Sequence, residues 1–545
     1  MRIYLLLAFL SLLPQAGTTE TGASFDERFK RSTGPAQLRQ LDAWCAKNKM
    51  AEERKKIQEI LSKAGARPDA REPARIAGDQ ARQAVGDFRE GRAKAVAEEV
   101  KKVLAWMTTE KYAAPDAKER LAVLVKGLLA EEPPDRDALL AEIKAAEHAD
   151  RPAEELKKAA GSFDAQIKAI LKKFTSQIFG AVEKCIAAGE SGYAFDLYHF
   201  LLQVDPDNDR AHKSLGEQKI ENKWLRPYEQ EQWKAGLAWH EKAGWVPLKQ
   251  RERADQGEVY DTVGKQWGKA EDLNKQHSEV AHAWRMESEH FELVSTADHA
   301  VNVQLLTRME AFFLQAFRQY DLFFTGKGGG KAANLVFGVV PMKKKLTVNY
   351  YRDEAQFKQY AEPPTTWAAG FYSGGKHASF FYHIRGQISV TVMQHELTHQ
   401  ILGENSDGGG NSGPWLAEGA AVFLQDAEFR NGTLSLGGLK DNHGIATYRT
   451  NLRGGMKEHS LKYVLDTFGP GKSWDQGEIS KNYRGAGAVV YFLMNFDGGR
   501  FRADMIQLLR DGYFAKPKAM EEYFGMTSAG LDVLMDRYYR DCEVP

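Results

Sequence analysis

The sequence predicts an α+β protein, mainly helical in its N-terminal region and built around a small sheet in its C-terminal part. Residues 20 to about 190 are rich in Ala, Lys and Glu, and apolar residues recur there at three and four, as at Val100, Val103 and Leu104. That spacing gives each helix one apolar stripe. From about residue 285, strand-like and helix-like runs alternate, the pattern of an α+β domain. Between them, six of the 11 tryptophans fall from Trp224 to Trp284, which marks a separate module. A chain of 545 residues is long enough for several domains. The expected divisions are a signal peptide at 1–18, a helical region at 19–216, a Trp-rich linker module at 217–284 and a C-terminal domain at 285–545.

The first element, "MRIYLLLAFLSLLPQAGTTE", has the form of a secretory signal peptide. Arg2 supplies the positive end, Ile3 to Leu13 the short apolar core, and Ala16, Gly17 and Thr18 a cleavage site. It predicts a secreted, periplasmic or cell-envelope protein. No later run approaches the ~18 apolar residues of a spanning helix, so stable membrane insertion is not expected. Lys+Arg and Asp+Glu both number 74, and this balance argues against a bulk nucleic-acid partner. Cys45, Cys185 and Cys542 are too few and too far apart for a disulfide framework, although one bridge is possible.

Within the helical region, "AFDLYHFLLQVDPDNDRAHKSLG" (194–216) predicts a helix ending at Val204, a turn, and a second helix. This resembles a joint of tetratricopeptide type and equally suits an ordinary helical hairpin. The region offers a surface for a protein partner. Two similar phrases follow, "ENKWLRPYEQEQWKAG" and "EKAGWVPLKQRERADQG", whose tryptophans read first as core. In the C-terminal domain, "HFELVST" and "LTVNYY" predict strands. Leu306, Met309, Phe313 and Phe317 have helical spacing, and "DEAQFKQYAE" predicts a helix ended by "PP". "AAGFYSGGKHASFFYHIRG" predicts a hairpin turning at Gly374-Gly375.

"QISVTVMQHELTHQIL" predicts a helix after Gly386, with Gly403 as its end. His395 and His399 then share one face, a turn apart, while Met393, Leu397 and Ile401 face the core. Two such imidazoles suit a tetrahedral Zn2+ ion, which needs a third protein ligand and an open position. Glu418, in "PWLAEGAAVFLQD", is the candidate. Pro414 would start its helix, Ala417, Ala420 and Ala421 would let it pack closely, and "GENSDGGGNSG" gives the chain room to turn back. Glu396, beside the first histidine, can reach a water without ligating the metal. It is the expected general base. His290, His377 and His383 each read as structural or surface residues, and His377 and His383 as the two placed to line a cleft.

"HELTH", 18 residues, and then Glu418 in "WLAEG" resembles the gluzincin (peptidase MA-like) metallopeptidases, and is distantly similar to the aminopeptidase N family within them. "YRGAGAVVYFL" (483–493) is similar to that family's tyrosine motif. The resemblance covers about 285–545. It implies a gluzincin-like metallopeptidase domain with a small sheet and an active-site helix, peptide or protein substrates, and Tyr483 as donor to the developing oxyanion. The substrate would lie as an added strand along the hairpin of Phe371–Tyr382. The Gly-x-Met-Glu-Asn phrase that grips a free amine is absent, which predicts an endopeptidase or other non-aminopeptidase. Gly485 stands where the motif carries a basic residue. Val422 stands where thermolysin-like members carry an acid that orients a histidine, so another group must do this here. The rival expectation is a binding module at the cell envelope, either an inactive metallopeptidase-like domain or a helical scaffold.

Overall fold

The computed structural model describes residues 25–542, apart from 32–34, most of 65–96, 129–132, 189, 326–343, 366–367, 385–389, 407–412, 431–432, 437–438, 440–441, 469–475 and 515–517. The signal-peptide segment and "KGGGK" lie outside the described residues. The fold mixes helices with small sheets, as an α+β protein should. Among the described residues no helix is long and apolar enough to cross a membrane.

The helical region centres on the 36-residue helix Ala153–Ala188. Phe163, Ile167, Ile170, Phe174, Ile178, Val182 and Cys185 are buried along it at spacings of three and four, one continuous stripe. It packs against Ser191–Val204, which ends at the expected residue. The helix after the turn is only Asp209–Ser214, capped by the Asn208 side chain, which accepts from the Ala211 amide at 3.0 Å. Its His212 then stacks on Trp224 with ring centroids 4.0 Å apart.

The Trp-rich module repeats one unit three times, a two-stranded hairpin followed by a short helix. The hairpins are Gln218–Ile220 with Lys223–Leu225, Leu237–His240 with Gly244–Pro247, and Glu258–Asp261 with Gln266–Lys269. Each second strand carries a tryptophan, Trp224, Trp245 or Trp267. Only two copies stood out in the sequence, because the third lacks the proline, Pro227 or Pro247, that follows the tryptophan within three residues in the other two.

The C-terminal domain holds a five-stranded sheet. Phe291–Ser295 and Leu346–Tyr351 run parallel, as do Leu346–Tyr351 and Ala378–Tyr382. Trp284–Glu287 and Gly370–Ser373 lie at the two ends of the order, each antiparallel to its neighbour. The hairpin turns at Gly374-Gly375, as expected. The helix His299–Gln319 buries Leu306, Met309, Phe313 and Phe317, also as expected.

Three further helices build the site. They are the histidine helix Val390–Glu404, the glutamate helix Pro414–Leu424 and the tyrosine helix Ile479–Asn495. Met393, Leu397 and Ile401 are buried on the core side of the first. Gln400 fixes this helix to the sheet, donating to the Thr347 carbonyl at 2.8 Å and accepting from Ser379 Oγ at 2.8 Å. Gly403 does not end the helix, which runs on through Glu404. A Cβ at Gly403 would stand 3.1 Å from the Tyr372 hydroxyl, so its smallness makes room for that ring.

Candidate metal centre

The histidine helix presents His395 and His399 one turn apart, with ring centroids 4.9 Å apart. Pro414 starts the glutamate helix at N1 after Gly413, whose φ of 74° makes the turn back. That turn aims Glu418 at both rings. His395 Nε2 lies 3.0 Å and His399 Nε2 3.2 Å from Glu418 Oε2, and the two nitrogens are 3.2 Å apart. Metal–ligand bonds of about 2.0–2.1 Å in a tetrahedron separate neighbouring ligand atoms by about 3.3 Å. The three atoms therefore match one face of a zinc tetrahedron. Among the described residues no other group of His, Cys, Asp and Glu converges in this way.

The electrostatics agree with that geometry. Burial opposes a charge on His399, but Glu418 outweighs burial and holds the imidazole up at about 9. Burial would raise Glu418, yet the two histidines hold it well below the usual carboxylate range. Two imidazole nitrogens facing one carboxylate oxygen, and each other, need positive charge between them, either a metal ion or protons carried on the rings.

Glu396 does not join the trio. Its Oε2 accepts from the backbone amide of Tyr372 at 2.9 Å, so the outermost strand Gly370–Ser373 holds the carboxylate beside the histidines. Tyr372 is held in turn, its hydroxyl donating to Glu404 Oε1 at 2.7 Å. No family model matches the chain, and no curated protein matches it. The geometry and chemistry of the residues carry the functional reading.

Tyr483 comes from the tyrosine helix, its ring centroid 5.5 Å from that of His395. Its phenol donates to Glu418. Burial first, then Glu418 and Glu396, push its pKa up, so the proton stays on. Two glycines permit the approach. A Cβ at Gly419 would lie 2.6 Å from the Ala486 carbonyl, and one at Gly487 would lie 2.3 Å from Val422 Cγ1. Gly485 points elsewhere, with its Cβ position 3.0 Å from His459 Cβ, so a basic side chain there would meet packing.

The other singled-out histidines stand outside the cluster. His290 is buried, stacked on Phe313 and paired with Glu310 at 2.7 Å. His377 is mostly exposed and pairs with Glu404 at 2.9 Å. His383 Nδ1 lies 3.2 Å from the Tyr350 hydroxyl. Sequence reasoning missed Tyr372, Gln425 and Tyr513. Gln425 Oε1 lies 2.9 Å from His395 Nδ1. Tyr513, packed on Phe323, is raised by burial and then by Glu418, which places it within electrostatic reach of the site. Tyr372 and Gln425 lie inside the hairpin and glutamate-helix phrases and Tyr513 in neither, and only packing shows which of their neighbours they meet. All three cysteines are free and buried, so the bridge left open by the sequence does not form.

Proposed function

We propose that this protein is a zinc metallopeptidase that hydrolyses peptide bonds. The observation that carries the reading is the convergence of His395 Nε2, His399 Nε2 and Glu418 Oε2 at 3.0–3.2 Å, with Glu396 alongside but separate. A zinc ion held by these three would supply Lewis acidity toward a carbonyl and toward water. Glu396, anchored by the Tyr372 amide, takes the proton from the attacking water and delivers it to the leaving amine. Tyr483, whose proton is held firmly, donates to the oxyanion as charge develops.

The outermost strand Gly370–Ser373 is the proposed bed for an extended peptide chain, which would pair with it as a further strand. Nothing in the sequence matches the amine-gripping phrase of the aminopeptidases, so internal bonds are the proposed targets. The signal-like N-terminus supports action outside the cytoplasm. Elemental analysis of the purified chain, with cleavage-site mapping on a peptide library, tests the reading. One zinc per chain and internal cleavage are expected. Absence of zinc, with none taken up on addition, overturns it.

A further inference from the structure

The metal-site reading leaves one question open at His395. Its Nε2 can bind a metal only if the ring's proton sits on Nδ1. Position 422, where the resembled pattern would place an orienting acid, is a buried Val in contact range of the Gly487 position. The histidine is instead met by Gln425, the residue that follows the last turn of the glutamate helix. The Gln425 Oε1 to His395 Nδ1 distance is 2.9 Å.

An amide can turn either end toward a ring, and only its oxygen would favour the proton on Nδ1. Oε1 is the end turned to the ring, and the carboxylate of the next residue, Asp426, ties this turn down. The carboxylate is itself pinned. Thr391 Oγ1 donates to its Oδ1 at 3.3 Å, and the His443 amide donates to its Oδ2 at 3.2 Å. One residue further on, the Ala427 carbonyl accepts from Gln394 Nε2 at 2.9 Å. Residues 425–427 thus grip the histidine helix at Thr391, Gln394 and His395.

Resting on the metal-site reading, we infer that Gln425, on a segment anchored through Asp426, is the positioning residue that fixes His395 in its Nδ1-protonated form and aims Nε2 at the metal. An amide oxygen, rather than an acid, faces this histidine. The arrangement fixes both the tautomer and the plane of the ring while keeping a full negative charge off the imidazole. Partners of this kind hold a ligand's orientation and typically change metal affinity by about 10–100-fold when removed.

The test uses the full-length chain and two readouts. Nitrogen-15 NMR of the metal-free protein at mildly alkaline pH reports which ring nitrogen of His395 carries the proton. Chelator competition with zinc alone reports affinity. Gln425→Met fills the same space without an acceptor, and the Thr391 and Gln394 contacts remain to hold the fold. It is expected to lose the Nδ1-protonated form and to weaken zinc binding about 10–100-fold. Gln425→Glu restores the acceptor and is expected to recover both. An unchanged tautomer or unchanged zinc affinity in Gln425→Met overturns the assignment and leaves the metal site standing. A wild-type chain that binds no zinc overturns the metal reading, and the tautomer measurement still decides what Gln425 does.

Discussion

At Glu396 a carboxylate meets a main-chain amide, and the same carboxylate stands one residue from His395, a proposed metal ligand. An acid serving as base rather than ligand should be removable without losing the metal. Glu396→Gln is expected to retain one zinc while turnover falls by about 10²–10⁴, the span of general-base effects. Zinc loss in that variant would make Glu396 a ligand. Tyr483 makes a different kind of contribution. Its phenol already donates to Glu418, so it has a ground-state partner to exchange for the oxyanion. Tyr483→Phe should lower kcat by about 10² and leave KM nearly unchanged. Steady-state kinetics on one peptide separates the two constants, and a normal kcat would leave the ring a packing role only.

The glutamate and tyrosine helices touch through absent side chains. At Gly419 a Cβ would crowd both the Ala486 carbonyl at 2.6 Å and Val490 Cγ2 at 2.7 Å. Gly419→Ala should therefore force the helices apart and cost about 1–3 kcal/mol, the usual range for overpacking. Chemical denaturation measures that cost. Because the separation also draws Tyr483 from Glu418, activity should fall further than in Tyr483→Phe if the same shift disturbs the ligand. A fully stable Gly419→Ala chain would show that the contact can relax.

The three parts of the molecule are joined through buried polar groups. Arg318 of the C-terminal domain pairs with Asp196 of the helical region at 2.5 Å, and Asp321 accepts from the Gly192 amide at 3.0 Å. Gly192 is required there, since its Cβ would stand 2.4 Å from the Arg318 carbonyl. Removing one partner of a buried pair strands the other, so Asp196→Ala should cost about 3–5 kcal/mol. A shift of the whole unfolding transition would register that cost, while a separate early transition would show independent domains. Arg226, at the entry to the Trp-rich module, pairs with Glu289 at 2.7 Å beside Glu310 and His290. Burial alone would raise Glu310, but His290, paired with it at 2.7 Å, and then Arg226 outweigh burial and bring the carboxyl from about 4.5 down to about 2. A depressed carboxyl stabilises the fold above its ordinary value and loses that contribution as pH falls toward 2. Glu310→Gln should flatten the pH dependence of stability between those values, as seen in denaturation midpoints across the acid range. The first helix, Phe25–Arg31, reaches the far end of the chain, where Arg537 donates to the Phe29 carbonyl and lies over its ring at 4.4 Å.

The sequence alone singled out the His395, His399 and Glu418 trio, Glu396 beside it and the elements that carry them, because each depends on local spacing. His395 and His399 share a face by helical period. Glu418 follows a proline that starts a helix, and the strands at 291–295, 346–351 and 378–382 show as short apolar runs. Sequence also showed that Val422 stands where the resembled pattern carries an acid that orients a histidine. Only the tertiary structure decided what replaces it. Gln425 and Asp426 lie beside His395 because the glutamate helix ends against the histidine helix, and no spacing rule encodes where two helices meet. Gly403 was misread for the same reason: a glycine near a helix end suggests a cap, whereas here it clears space for Tyr372 from a distant strand. Tyr372, Tyr513 and the third hairpin of the Trp-rich module were likewise invisible, since contacts between residues far apart in sequence depend on side-chain shape and packing and leave no periodic trace.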